Sequence, residues 1–223
     1  MKLLAIDTAT ESCTAALLID GEIRERYEVA PRGHAGLILP MVDSLLTEAG
    51  LAATDLDGLV LGQGPGSFTG VRIGTGVVQG IAFAADLPVA PVSTLAAMAQ
   101  GAGRVLGARS VLVAIDARME EVYWGCYQLA TQGLVQAVCA ESVLAPDTVT
   151  APAACAWVGV GSGWGRYAAQ LEAAVGERPA EIVSRFYPHA QDLVRLGAQV
   201  LREGGGVAAD RALPVYLRDK VAS

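Results

Sequence analysis

Two short segments hold the residues best suited to chemistry. Asp7-Thr8-Ala9-Thr10 sets a carboxylate and two hydroxyls directly after an apolar run, in what reads as a hairpin turn. Such a set can hold Mg2+ and phosphate, and it can equally form an Asx-type turn whose side chain satisfies local backbone groups. The second segment runs Gly62-Gln63-Gly64-Pro65-Gly66-Ser67-Phe68-Thr69-Gly70-Val71-Arg72-Ile73-Gly74. Its glycines and proline force a tight, side-chain-poor turn. Before a helix, Gly64, Gly66 and Ser67 can offer backbone N–H groups to a phosphate, a carboxylate or another stretch of backbone. It is not a Walker A loop, because the spacing differs and no lysine follows.

The remaining candidates are weaker. His34 and His189 are the only histidines, and neither has a Cys or carboxylate at metal-ligand spacing. Gly161-Ser162-Gly163-Trp164-Gly165 reads as a strand-to-helix turn rather than a nucleophile elbow. Asp116 with Glu120 and Glu121 reads as a charged hairpin tip. Cys13, Cys126, Cys139 and Cys155 are scattered without a CxxC pair, which argues against zinc and against a disulfide framework.

Regular elements must position these residues. Strands are expected at Lys2–Asp7, Cys13–Ile19 and Glu22–Val29, with Asp20-Gly21 as a two-residue turn. An amphipathic helix is expected over Gly36–Ala49, with Leu37, Met41, Leu45 and Ala49 on one stripe and Gly50 as its stop. Leu56–Leu61 then predicts a strand, the glycine turn follows, and a helix runs over Val71–Ala85. Pro88–Val92 (strand) and Leu95–Arg104 (helix) come next. After Gly101–Arg109 the pattern restarts, with strands at Ser110–Asp116 and Glu121–Tyr127. Ala114-Ile115-Asp116-Ala117 echoes Ala5-Ile6-Asp7-Thr8. Trp157–Val160 predicts a strand, Arg166–Val175 and Ala190–Glu203 helices, and Pro214–Leu217 an extended tail.

Composition narrows the function classes. The 223 residues are 52% hydrophobic with mean hydropathy +0.41, yet no apolar run is expected to reach membrane-spanning length. The excess fits a buried subunit interface. A net charge of −7 suits the chain poorly to gripping a nucleic-acid backbone alone, so any such role would act through a basic partner. Met1-Lys2 leads straight into a strand with Asp7 close behind, which predicts no signal peptide and a cytoplasmic protein.

Leu3-Leu4-Ala5-Ile6-Asp7-Thr8-Ala9-Thr10, the stretch from Gly64 to Gly74, and Pro214-Val215-Tyr216-Leu217-Arg218 together resemble the bacterial TsaB family, also called YeaZ. Order and spacing fit along nearly the whole chain, and the glycine motif is the specific part. The resemblance implies an α/β, actin-like ATPase (ribonuclease H-like) fold of two subdomains, each a mixed sheet flanked by helices. These would span 1–105 and 106–223, with the last helix packing back on the first. It also implies a part in forming threonylcarbamoyladenosine at position 37 of tRNA. In that family the chain is the non-catalytic paralogue that dimerises with the transferase subunit TsaD, and the ATPase TsaE joins them.

Residue by residue, the resemblance makes Asp7, Thr8, Thr10, Gly64, Gly66 and Ser67 a vestigial nucleotide or phosphate site. The catalytic paralogue's metal-binding His-x-x-x-His falls here on Thr94 and Met98, which removes the metal centre. The Asp116 hairpin lacks a glycine run, and Arg118 and Met119 crowd it. The isolated chain is therefore expected to hold no cofactor, with ATP or ADP and Mg2+ confined to the assembled complex. Leu37, Met41 and Leu45 are expected to supply partner-binding area beside Arg72, Ile73, Val77 and Ile81, with Gly70 and Gly74 allowing close approach. Without its partner, the same surface would form a homodimer, and tRNA would be contacted only through the complex. The rival reading is an active small-molecule kinase or ATPase of the same fold. A protease would need Ser67 or Ser162 to find one of two remote histidines.

Overall fold

The computed structural model describes residues 1–152 and 155–218. The chain forms two structural units. The first comprises Met1–Ala97 and Pro188–Val215, and the second Met98–Tyr187 with the chain from Tyr216. The division thus falls at Ala97/Met98 rather than between 105 and 106, inside a helix, and residues 188–215 return to the first unit.

In the first unit, β1 (Lys2–Asp7), β2 (Ser12–Ile19), β3 (Glu22–Val29), β4 (Gly58–Gly62) and β5 (Val89–Val92) form one sheet in the order β3-β2-β1-β4-β5. β1 pairs antiparallel with β2 and parallel with β4, and β4 pairs parallel with β5. A central strand covered on both faces must be apolar throughout, and Leu3 to Ile6 are all fully buried. Alternation divides them. Leu4 and Ile6 join Ile38, Val42, Leu45, Val78 and Ala82 of α1 (His34–Ala49) and α2 (Phe68–Ala85) on one face. Leu3 and Ala5 join Leu193, Val194 and Ala198 of the late helix Ala190–Arg202 on the other.

In the second unit, β6 (Ser110–Arg118), β7 (Glu121–Leu129), β8 (Val135–Ala137), β9 (Ser142–Leu144), β10 (Trp157–Val160) and β11 (Glu181–Val183) form a second sheet. Again an antiparallel hairpin, β6–β7, is extended on one side by parallel strands, β10 and then β11. The topology of the first sheet is repeated. Its core gathers Trp124, Trp157, Trp164, Tyr167 and Leu171, with the helix Ser162–Val175 packed on β6. The helix Thr94–Leu106 carries the chain from the first unit to the second.

Both helices of the first core face differ from expectation. α2 begins at Phe68, not Val71, because the Ser67 hydroxyl accepts the Gly70 N–H and caps it. α1 begins two residues before Gly36. α2 also corrects the membrane expectation, since among the described residues it is one helix long and apolar enough to cross a bilayer by composition. Its buried stripe (Gly70, Val71, Gly74, Thr75, Val78, Ala82) is already packed inside the first unit.

Candidate functional site

Asp7 ends β1 with its side chain turned inward and no exposed surface. Its Oδ1 accepts the Ala9 N–H at 2.7 Å, and its Oδ2 accepts the Thr94 hydroxyl at 2.8 Å. Burial pushes the carboxyl up to about 6, partly offset by the Ala9 and Thr94 hydrogen bonds and by His34. Thr94, at a position where the catalytic paralogue is expected to carry a metal-binding histidine, thus serves as an internal donor to Asp7.

The next residues are equally occupied. Thr8 donates its hydroxyl to the Gly70 carbonyl at 2.7 Å, and the Ser67 N–H donates to the Ala9 carbonyl at 2.7 Å. Thr10 pairs with the Ser12 hydroxyl at 3.1 Å and accepts the Ser12 N–H. Thr8 and Thr10 are buried. This local satisfaction is the Asx-turn alternative of the sequence, reinforced by the glycine segment lying across it.

The glycines make that contact possible. A Cβ on Gly62 would run into the Asp7 carboxylate, one on Gly66 into the Ala9 carbonyl, and one on Gly70 into the Thr8 carbonyl. A Cβ on Gly74 would lie 2.7 Å from the Thr8 hydroxyl. Gly62, Gly66, Gly70 and Gly74 therefore clear one continuous line along which the glycine turn and α2 seat on the β1–β2 turn. Gly64 accepts the Thr94 N–H at 2.8 Å, and Gln63 accepts the Val215 N–H at 2.8 Å. The six residues of the expected phosphate site do come together, but as a backbone joint. They do not fit a phosphate, because protein backbone lies across the turn.

The partner-facing expectations divide. Leu45 is fully buried in the core, and Gly70 and Gly74 are buried against Thr8. All three are packed within the first unit. Leu37, Met41, Ile73, Val77 and Ile81 are half-buried at the edge of the same core, and Arg72 is exposed with its guanidinium over the Phe68 ring. The glycines on the open side of α2 are Gly76 and Gly80, neither with anything within 4 Å of a Cβ. Exposed Phe68 and Phe83 add large apolar surface on the same helix, and exposed Leu39 adds more on α1.

The second hairpin carries charge rather than a glycine cradle. Asp116 meets Arg118 at 3.4 Å and Arg166 at 3.1 Å, while its N–H donates to the Ser162 hydroxyl at 3.0 Å. Arg118, Met119 and Glu120 all adopt left-handed backbone. Arg218 donates to the Ala117 carbonyl and pairs with Glu121. Both histidines are engaged with groups other than the Ser67 and Ser162 hydroxyls. His34 Nε2 meets the Ser12 carbonyl at 3.2 Å, and His189 Nδ1 meets Glu25 at 3.1 Å while stacking on Tyr27. Ser67 serves as a helix cap and Ser162 as an acceptor, which leaves the protease reading without a base.

Comparison with known proteins agrees with this geometry. Residues 26–223 match the family model described as TsaD: tRNA N6-adenosine threonylcarbamoyltransferase. A protein of Escherichia coli strain K12 named tRNA threonylcarbamoyladenosine biosynthesis protein TsaB is 46% identical over 100% of this chain and 96% of its own length. A TsaB of Haemophilus influenzae is 54% identical over 124 residues, 56% of this chain and 52% of its own length. A crystal structure titled as an uncharacterized protein with similarity to peptidase YEAZ, from Pseudomonas aeruginosa, superposes with TM-score 0.91 at 51% identity, covering 97% of this chain and 99% of that one. With two mixed sheets of repeated topology flanked by helices, and similarity along its whole length, the chain belongs to the TsaB (YeaZ) family and has the actin-like ATPase fold.

Proposed function

We propose that the chain works in tRNA threonylcarbamoyladenosine formation as a non-catalytic subunit that dimerises with the TsaD transferase, with the ATPase TsaE joining them. One observation carries the non-catalytic part: the turn that would cradle phosphate is sealed by the chain's own glycine segment. A subunit so built can donate shape but not phosphate chemistry. Nucleotide and Mg2+, where they act, belong to the assembled complex.

The partner face is the open side of α1 and α2, with Leu37, Met41, Arg72, Ile73, Val77 and Ile81. Gly76 and Gly80 replace Gly70 and Gly74 as the points of close approach. Alone, the chain pairs with a second copy through the same face, because an apolar patch is best covered by an equivalent one. The net charge of −7 favours tRNA contact through the partners, and a tRNA substrate places this work in the cytoplasm.

The test is binding of TsaD by calorimetry, with wild type and Gly80→Leu. Gly80→Leu should weaken binding roughly tenfold or more while the fold stays intact. Unchanged affinity would place the partner elsewhere. Mg2+-dependent ATP hydrolysis by the purified chain, lost in Asp7→Asn, would instead establish the kinase or ATPase reading.

A further inference from the structure

Cys126 and Cys139 are separated in sequence but meet in the second sheet. β8 pairs with β7 from Tyr127 onward, and β9 pairs with it up to Trp124. Between these two ladders the Cys126 N–H has no strand carbonyl opposite it. It donates instead to the Cys139 sulfur at 3.1 Å, while the Cys126 carbonyl accepts the Val138 N–H at 2.8 Å. The Cys126 thiol itself points toward the Thr150 carbonyl, at 3.6 Å. Cys126 is fully buried, whereas Cys139 is half-buried between exposed Val138 and Ala140. A half-buried thiol therefore sits on the backbone N–H of a fully buried cysteine.

We propose that Cys126 and Cys139 form a peroxide-oxidisable thiol pair, with Cys139 as the attacked sulfur and Cys126 as the resolving one. The neighbouring Cys126, through its thiol and its N–H, holds the Cys139 thiol below its usual range, against burial and the Glu141 carboxylate. The same contact, with burial, holds Cys126 protonated. In the first step the Cys139 thiolate attacks a peroxide oxygen; an S–O bond forms, the O–O bond breaks, and hydroxide leaves. Oxidation removes the Cys139 anion, and with it the chief reason that Cys126 kept its proton. Cys126 then attacks the sulfenic sulfur; an S–S bond forms, the S–O bond breaks, and hydroxide leaves to take up the Cys126 proton as water. Overall two thiols lose two electrons, and hydrogen peroxide becomes two waters.

The test treats the full chain with stoichiometric hydrogen peroxide, blocks free thiols with iodoacetamide, and maps peptides by mass spectrometry. The expected product is a Cys126–Cys139 linked peptide, forming roughly tenfold faster than any oxidation of Cys155, because the Cys126 N–H supports the Cys139 thiolate and places its resolving residue beside it. In Cys126→Ala, Cys139 should accumulate as a sulfenic acid trapped by dimedone. In Cys139→Ser, which keeps an acceptor for the Cys126 N–H, Cys126 should stay reduced. A Cys139–Cys155 link, or equal oxidation of Cys139 and Cys155, would overturn the assignment.

Discussion

Asp7 ends β1 with both carboxylate oxygens held by its own chain, through the Ala9 N–H and the Thr94 hydroxyl. Its folded value of about 6 lies above the ordinary 3.8, so the folded chain binds the proton more tightly than the unfolded one. Protonation therefore stabilises the fold, and stability attributable to Asp7 is lost as pH rises from near 4 to near 6, by about 3 kcal/mol. Asp7→Asn should unfold at higher urea than wild type at pH 7.5, with the gap closing near pH 4. A pH-independent gap would mean that Asp7 is not the buried acid described. Thr94→Val should cost about 1–3 kcal/mol, because it leaves Oδ2 without its donor. That loss should be larger above pH 6 than at pH 4. Asp7 was legible from sequence as the end of a strand in a polar turn. Its partner Thr94, 87 positions away, was not, since that pairing depends on β5 lying beside β4.

At the scale of the element, α2 has two glycine faces, one packed on Thr8 and one open. At about 100° per residue, Gly76 and Gly80 lie roughly 240–280° around the helix from Gly70. The two sets were therefore separable from sequence by angle. What the sequence did not reveal is which side meets protein, because the β1–β2 turn that fills the Gly70 side is not encoded locally. Gly70→Ala should cost about 3 kcal/mol or more, since the neighbouring Thr8 carbonyl is backbone and cannot step aside. Gly80→Ala should stabilise the isolated chain by about 0.5–1 kcal/mol, through helix propensity alone. Thermal melts of the two variants check this contrast, and equal effects would refute the division of faces. The short strands β8, β9 and β11, three residues each, escaped the sequence because so few residues cannot show an alternating period. The Cys126–Cys139 contact was hidden with them.

For the whole molecule, the repeated sheet topology makes intelligible why Asp7 and Asp116 lie near equivalent strand ends. One is sealed by backbone; the other is held by Arg118 and Arg166. The echo between Ala5–Thr8 and Ala114–Ala117 was readable, whereas the return of residues 188–215 to the first unit follows from packing that only the assembled sheet defines. Because one face is proposed to serve both self-association and the partner, adding TsaD should dissolve the homodimer in sedimentation-velocity experiments. Persistence of the homodimer within a larger complex would separate the two surfaces. The most direct measurement is tRNA modification reconstituted from TsaD, TsaE, ATP and threonylcarbamoyl-AMP, with and without this chain. The scaffold role requires modification that depends on the chain, survives Asp7→Asn and falls with Gly80→Leu. Full modification without the chain, or its abolition by Asp7→Asn in a folded protein, would contradict it.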